Sequence, residues 1–264
     1  MLMEVKKELK VISLSIKYAI MREALNKVSF ITNILFMILN NACFIVQWII
    51  LYSVKDNIGG YTLNKVLLLW ALAASTYGFA HLFFEKAFSL SDTINNGKLD
   101  SYLVQPRNVL LSVVTSDVKI SAIGDLIYGL IMIFICGLTI KKFILFVIFT
   151  ITGGLILVSI SIIYNSLSFW FSKSDFIADI MNDLMIHPST YPEGIFKGLV
   201  KIILYTIIPI GLVNYIPINV IVDFKLIPLL IVILFTMFIV ALSFIVFNKG
   251  LKKYSSSNLM IARL

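Results

Sequence analysis

Few residues of this chain have the types and spacing that chemistry requires, and those that do lie inside apolar runs. Asn33, Asn40 and Gln47 recur every seven residues along one hydrophobic segment, with Asn41 beside them, and so share a helical stripe. Amides facing lipid are costly, so the stripe is expected to face another helix or a wet pathway. Hydrogen bonding between helices is the plainer reading, and a substrate or dimer surface the sharper one. Asp125 is the one carboxylate expected to enter a hydrophobic zone, on a stripe with Asp117 and Ser121. A central Asp costs about 2.5–3.5 kcal/mol in a membrane, so it needs a partner or water. Lys119 is near enough in sequence to pair with it or to extend away. His81 and Glu85, four apart, can pair on one helix face, but two residues make no metal site.

Catalytic patterns are missing. Gly97-Lys98 is the only Gly-Lys pair, and it lacks the earlier Gly and the following hydroxyl of a phosphate-binding loop. No His-Glu-x-x-His, Gly-x-Ser-x-Gly or Cys/His cluster occurs, so no catalytic or metal site is expected. An enzyme acting on lipid inside the membrane lacks a constellation to work with. Cys43 and Cys136 occupy different apolar runs and are expected to be small buried hydrophobes, not a disulfide.

The elements that position these groups read as membrane spans. With 59% hydrophobic and 14% charged residues, the chain is far more apolar than a soluble domain at about 45–50%. The expected fold is an all-α integral membrane protein of six transmembrane helices. An excess of Lys and Arg gives +8, which beside apolar spans points to topology and anionic headgroups, not to nucleic acid.

Residues 1–27 form a first unit. Val5, Leu9, Ile12, Ile16 and Ala19 repeat at helical spacing opposite Lys6, Lys10, Ser13 and Lys17, which predicts an amphipathic helix on the membrane surface. The same face suits contact with a soluble partner. The apolar run after it is too long for a signal peptide, so the N-terminus is expected to be retained.

Residues 28–264 form the second unit, with spans expected at about 28–53, 63–84, 120–139, 143–171, 199–222 and 226–247. A second interfacial helix is expected from Asp175, where Phe176, Ile180 and Leu184 line up beside Asp179 and Asp183. The fifth span, 199–222, holds Pro209 and Pro217, each of which removes a backbone bond. It is expected to be broken and partly re-entrant, which makes these prolines pathway candidates. Residues 248–264 are a basic tail.

The longest polar interruption among the early spans is 92–107. Gly97 can end one helix, Lys98 to Val104 can form short turns, and Pro106 stops them. Leu99, Tyr102 and Leu103 then share one side of an elbow, with Lys98 and Asp100 on the others. A solvated loop is the plain reading of such a stretch.

The run Asn96 to Arg107 resembles the loop after the second span in permeases of type-2 ATP-binding-cassette (ABC) exporters, in a six-span bacterial branch with a Gly-x-Leu-x-x-Tyr-Leu-x-x-Pro pattern. Tyr191-Pro192, Ile208-Pro209 and Asn214-Tyr215-Ile216-Pro217 are similar to that branch's C-terminal half. The resemblance implies that the elbow is a coupling helix for a separate ATPase, with Lys98, Leu99, Asp100, Tyr102 and Leu103 as the coupling residues. It also implies ABC ATPase subunits that bind ATP and Mg, and a second permease, either the same chain or a related one.

Sixteen Lys and Arg residues fall in pieces expected inside and five outside, which predicts six spans with both termini cytoplasmic, and the resemblance implies that the membrane is the bacterial plasma membrane. The expected function is the permease subunit of an ATP-driven exporter. The rival is an ion-coupled secondary transporter or channel using Asp125 and the broken fifth region without an ATPase.

Overall fold

Among the described residues every regular element is a helix. The computed structural model describes residues 2–137, 139–171 and 175–256, with residues 2–9 and 175 described by backbone alone. Among the described residues the elements run α1 (Leu2–Ala24), α2 (Lys27–Val54), α3 (Leu63–Phe84), α4 (Leu90–Asn95), α5 (Asp100–Leu103) and α6 (Val109–Val114). They continue as α7 (Ser121–Ile135), α8 (Ile140–Asn165), α9 (Asp175–Ile186), α10 (Gly198–Thr206), α11 (Ile216–Val222) and α12 (Leu226–Leu251). The turn between α2 and α3 defines one end of the bundle, the loop end; α4 and α5 define the other, the elbow end.

Short polar side chains cap the starts of two of the long helices, α2 and α8. Asn26 accepts from the Ser29 amide at 3.1 Å ahead of α2, and Thr139 from the Lys142 amide at 3.4 Å ahead of α8. Gly97 (φ 70°) stops α4, and Gly137 (φ 83°) follows the end of α7.

α3 is the centre. It is apolar on all sides and buried nearly throughout, as such a helix must be. α7 reaches it through small residues: a Cβ on Gly78 would lie 2.8 Å from the Ala122 carbonyl oxygen, and one on Gly129 would fall on the Ser75 hydroxyl. Gly124 gives α2 the same close approach, with the Ile34 oxygen 2.6 Å from its added Cβ. α8 covers another side of α3, and α12 packs on α8. α2 and α12 leave long apolar faces exposed, among them Leu35, Leu39, Leu234 and Phe238.

Among the described residues four helices are long and apolar enough to cross a membrane: Lys27–Val54, Leu63–Asn95, Ile140–Phe169 and Leu226–Leu251. α7 is shorter, 15 residues, or roughly 22 Å at 1.5 Å per residue. Asp117 therefore lies outside α7 and does not share its stripe with Asp125. It pairs instead with Arg22 at 2.6 Å and Lys86 at 3.7 Å.

The segment 199–222 differs from the sequence expectation. It is bent by 75°, but both of its ends lie at the loop end. Before it, Gly194 meets the Gly59 backbone; after it, the Phe224 ring lies 4.0 Å from Lys141 at the start of α8. The bent pair is thus a re-entrant piece. The passage from the elbow end to the loop end is made by α9 and the turns up to residue 194. α9 touches α4, and Tyr191 reaches Trp48 of α2 at 5.7 Å. Hydropathy missed this because α9 carries Asp179 and Asp183 while the re-entrant piece is almost wholly apolar.

α1 runs beside the linker between α6 and α7. Ser15 donates to the Thr115 carbonyl at 3.1 Å, and Ala19 packs on Val118 and Ile120. Ile12 and Ile16 turn inward while Lys10, Ser13 and Lys17 stay exposed; the side chains of Val5 and Leu9 lie outside the described residues. α12 takes in the start of the basic tail, and residues 257–264 lie outside the described residues.

Candidate functional site

A groove of about 380 Å³ opens between α2, α3, α7 and the turn after α9. Its size falls in the range of ligand sites, about 300–1,000 Å³. Two aromatic pairs form its walls. Phe44 stacks on Trp70 at 5.3 Å, and Trp48 meets Tyr191 edge to face at 5.7 Å. Tyr77 stacks on His81 at 5.9 Å toward the elbow end.

The polar groups come from the stripes expected to face a helix or a wet path. Asn40 and Gln47 line the groove, while Asn33 lies outside it, its amide 3.4 Å from the Ser29 hydroxyl on the exposed side of α2. Asn41 ties α2 to α7: its amide donates to Asp125 at 2.7 Å and to the Met37 carbonyl at 3.2 Å. Asp125 has no Lys or Arg nitrogen within 4.0 Å among the described residues, so of the two alternatives for Lys119 the direct ion pair is not made. His81 and Glu85 pair at 2.6 Å, as their spacing predicts. Pro209 and Pro217 are buried and away from the groove, which corrects their reading as pathway residues. Pro217 sits in the first turn of α11, where its missing N–H leaves no bond unmade.

At the other site, the elbow, α4 ends at Gly97 and α5 follows as a single turn. Leu99 is wholly buried beneath it, so it anchors the elbow and offers no docking surface, contrary to the sequence expectation. Lys98, Leu103 and Val104 are exposed, and Tyr102 is half-buried. Asp100 is engaged by the tail: Tyr254 donates to it at 3.0 Å and Ser256 at 2.6 Å. Burial, with the Asp100 carboxylate beside it, pushes the Tyr254 hydroxyl up to about 12. A cleft of about 350 Å³ separates α1 from the elbow, lined by Val11, Ile12, Tyr102, Pro106 and Arg107 among others.

Among the described residues no three His, Cys, Asp or Glu side chains come together as a metal site. The chain matches a family described as ABC-2 family transporter protein over residues 21–258, which is most of its length. It belongs to that family. The protein is therefore a multi-pass membrane component of an ABC transporter, a permease. No curated protein and no solved structure matches it.

Sequence reasoning marked the amide stripe and the carboxylate of this permease but missed what faces them. Trp48, Trp70 and Tyr191 carried no signal, since single aromatics in apolar runs read as core. The cysteines also differ from expectation: Cys43 is exposed on α2, and Cys136 is half-buried at the end of α7.

Proposed function

We propose that this permease carries cargo outward across a bacterial plasma membrane, driven by ATP that separate ATPase subunits bind with Mg and hydrolyse. The observation that carries the reading is the elbow: an exposed tip, Lys98, Leu103 and Val104, standing on a buried anchor, Leu99. A load on that tip is passed to α3 through α4, and to α8 because Asn165 accepts from the Ser91 amide at 3.0 Å. The cleft between α1 and the elbow is a seat for part of the ATPase. ATP binding biases the bundle only through the different affinity of the ATPases for its two states.

The groove holding Asn40, Gln47 and Asp125 is the cargo path, and the exposed face of α2 is where a second permease, alike or related, closes it. Charge supports an orientation with the elbow and both termini in the cytoplasm. Among the described residues, with Lys197 and Lys201 assigned to the loop end and Lys119 left uncounted at a span boundary, twelve Lys and Arg residues lie on the elbow side against seven on the loop side.

The test is purification from membranes in mild detergent, with co-purifying subunits identified and ATP hydrolysis measured. Recovery of an ATPase, lost in Leu103→Asp and Val104→Asp variants that still insert, supports the reading. Recovery of this chain alone, with transport that follows an ion gradient, sinks it in favour of a carrier built on Asp125.

A further inference from the structure

Among the described residues Asp125 is the only carboxylate that lines the groove. One oxygen accepts from Asn41, and no cationic nitrogen among the described residues pairs with it. Three other groups lining the groove carry or can take a positive charge: Lys119, His81 and His187. None is within ion-pair distance of it, and His81 is occupied by Glu85. An ionised carboxylate at membrane depth with no ion pair in contact with it is unfavourable, and a ligand cation placed against it offsets part of that penalty. The same groove is lined by Phe44, Trp48, Trp70 and Tyr77, aromatic rings whose faces attract cations and stack on flat rings.

We infer that the groove binds organic cations with a flat aromatic body, the positive end against Asp125 and the body between the aromatic walls. The inference rests on the groove as the cargo path and names the class of cargo. An anionic amphiphile of the same shape is rejected, because it brings like charge against Asp125 in a medium of low dielectric constant.

The signal for a test is built in. Of three tryptophans, Trp48 and Trp70 line the groove and Trp170 does not. The permease, with whatever subunits accompany it, is placed in nanodiscs of zwitterionic lipid and titrated with rhodamine 6G, a cationic xanthene, and with fluorescein, an anionic one. Saturable tryptophan quenching by rhodamine 6G is expected, undiminished in Trp170→Phe and at least tenfold weaker in Asp125→Asn, whose amide oxygen can still accept from Asn41. Fluorescein is expected to bind neither form. Equal rhodamine affinity in Asp125→Asn, or fluorescein binding as tight as rhodamine, overturns the inference. Should Asp125→Asn misfold, Lys119→Gln gives a second arm: removing that charge from the groove tightens rhodamine binding several-fold, and an unchanged affinity overturns the inference. No ATP is used, so failure to find an ATPase refutes the exporter reading and leaves this result standing.

Discussion

The carboxylate of Asp100 accepts from the hydroxyl of Tyr254 at 3.0 Å, joining the elbow to the chain beyond the last span. Tyr254 also stands edge to face on Phe169 at 6.2 Å, and Phe169 on Phe247 at 5.5 Å, so the elbow, the end of α8 and α12 form one mechanical unit. Both hydrogen bonds to Asp100 are exposed, so solvent weakens them below the roughly 1.5–3 kcal/mol of a bond to a charged group, too little to decide the fold. Asp100→Ala is therefore expected to leave the melting temperature nearly unchanged while freeing the tail. In a background without Cys43 and Cys136, maleimide labelling of Ser255→Cys should quicken several-fold in Asp100→Ala. An unchanged rate would mean that the tail is held by something else.

The same contact has a pH limit. The folded-state value of Tyr254, about 12, lies above its ordinary 10.0, so the contact is at full strength below pH 10 and is lost as pH rises towards 12. Labelling of Ser255→Cys should then converge in the two backgrounds above that window, after correction for the reactivity of the thiol itself. Divergence that persists at high pH would argue against a bond that needs the protonated hydroxyl.

Leu99 and Val104 occupy the same elbow with opposite exposures, 0% and 84%. Leu99→Ala empties a filled site and should cost about 2–5 kcal/mol, seen as a lower melting temperature in detergent. Val104→Asp should leave melting alone and remove ATPase recruitment. An exchange of the two phenotypes would mean that Val104 is the buried anchor and Leu99 the exposed tip.

Gly124 touches the backbone of α2 where no side chain fits. Gly124→Ala puts a methyl group against the Ile34 carbonyl and should destabilise by about 1–3 kcal/mol through overpacking. Because Asn41 and Asp125 bond across the same helix pair, parting the helices should also weaken rhodamine binding in the groove. Thermal unfolding and the quenching titration, run on one sample, check both effects.

Much of this architecture was legible in the residues. Long apolar runs predicted the four long helices because a membrane span must satisfy its own backbone, which fixes its length and composition. Gly97 and Pro106 predicted the elbow, since each constrains the backbone locally. What was not legible depended on contacts between distant residues. Nothing near Leu99 shows that it points inward while Leu103 points out, since a single turn has no periodicity to read. The re-entrant piece at 198–222 is as apolar as a span, and α9, which makes the passage, is not. The partner of Asp125 lay on another helix, at Asn41, so spacing offered Lys119 instead.

The meeting of Gly59 with Gly194 has a consequence for synthesis. These residues leave the ribosome on the order of ten seconds apart at ordinary elongation rates. During that interval the hairpin of α2 and α3 has no Tyr191 or Pro192 to lean on, and the stripe of Asn40 and Gln47 faces an unfinished wall. The insertion machinery, or lipid, must cover those amides until the later segment arrives.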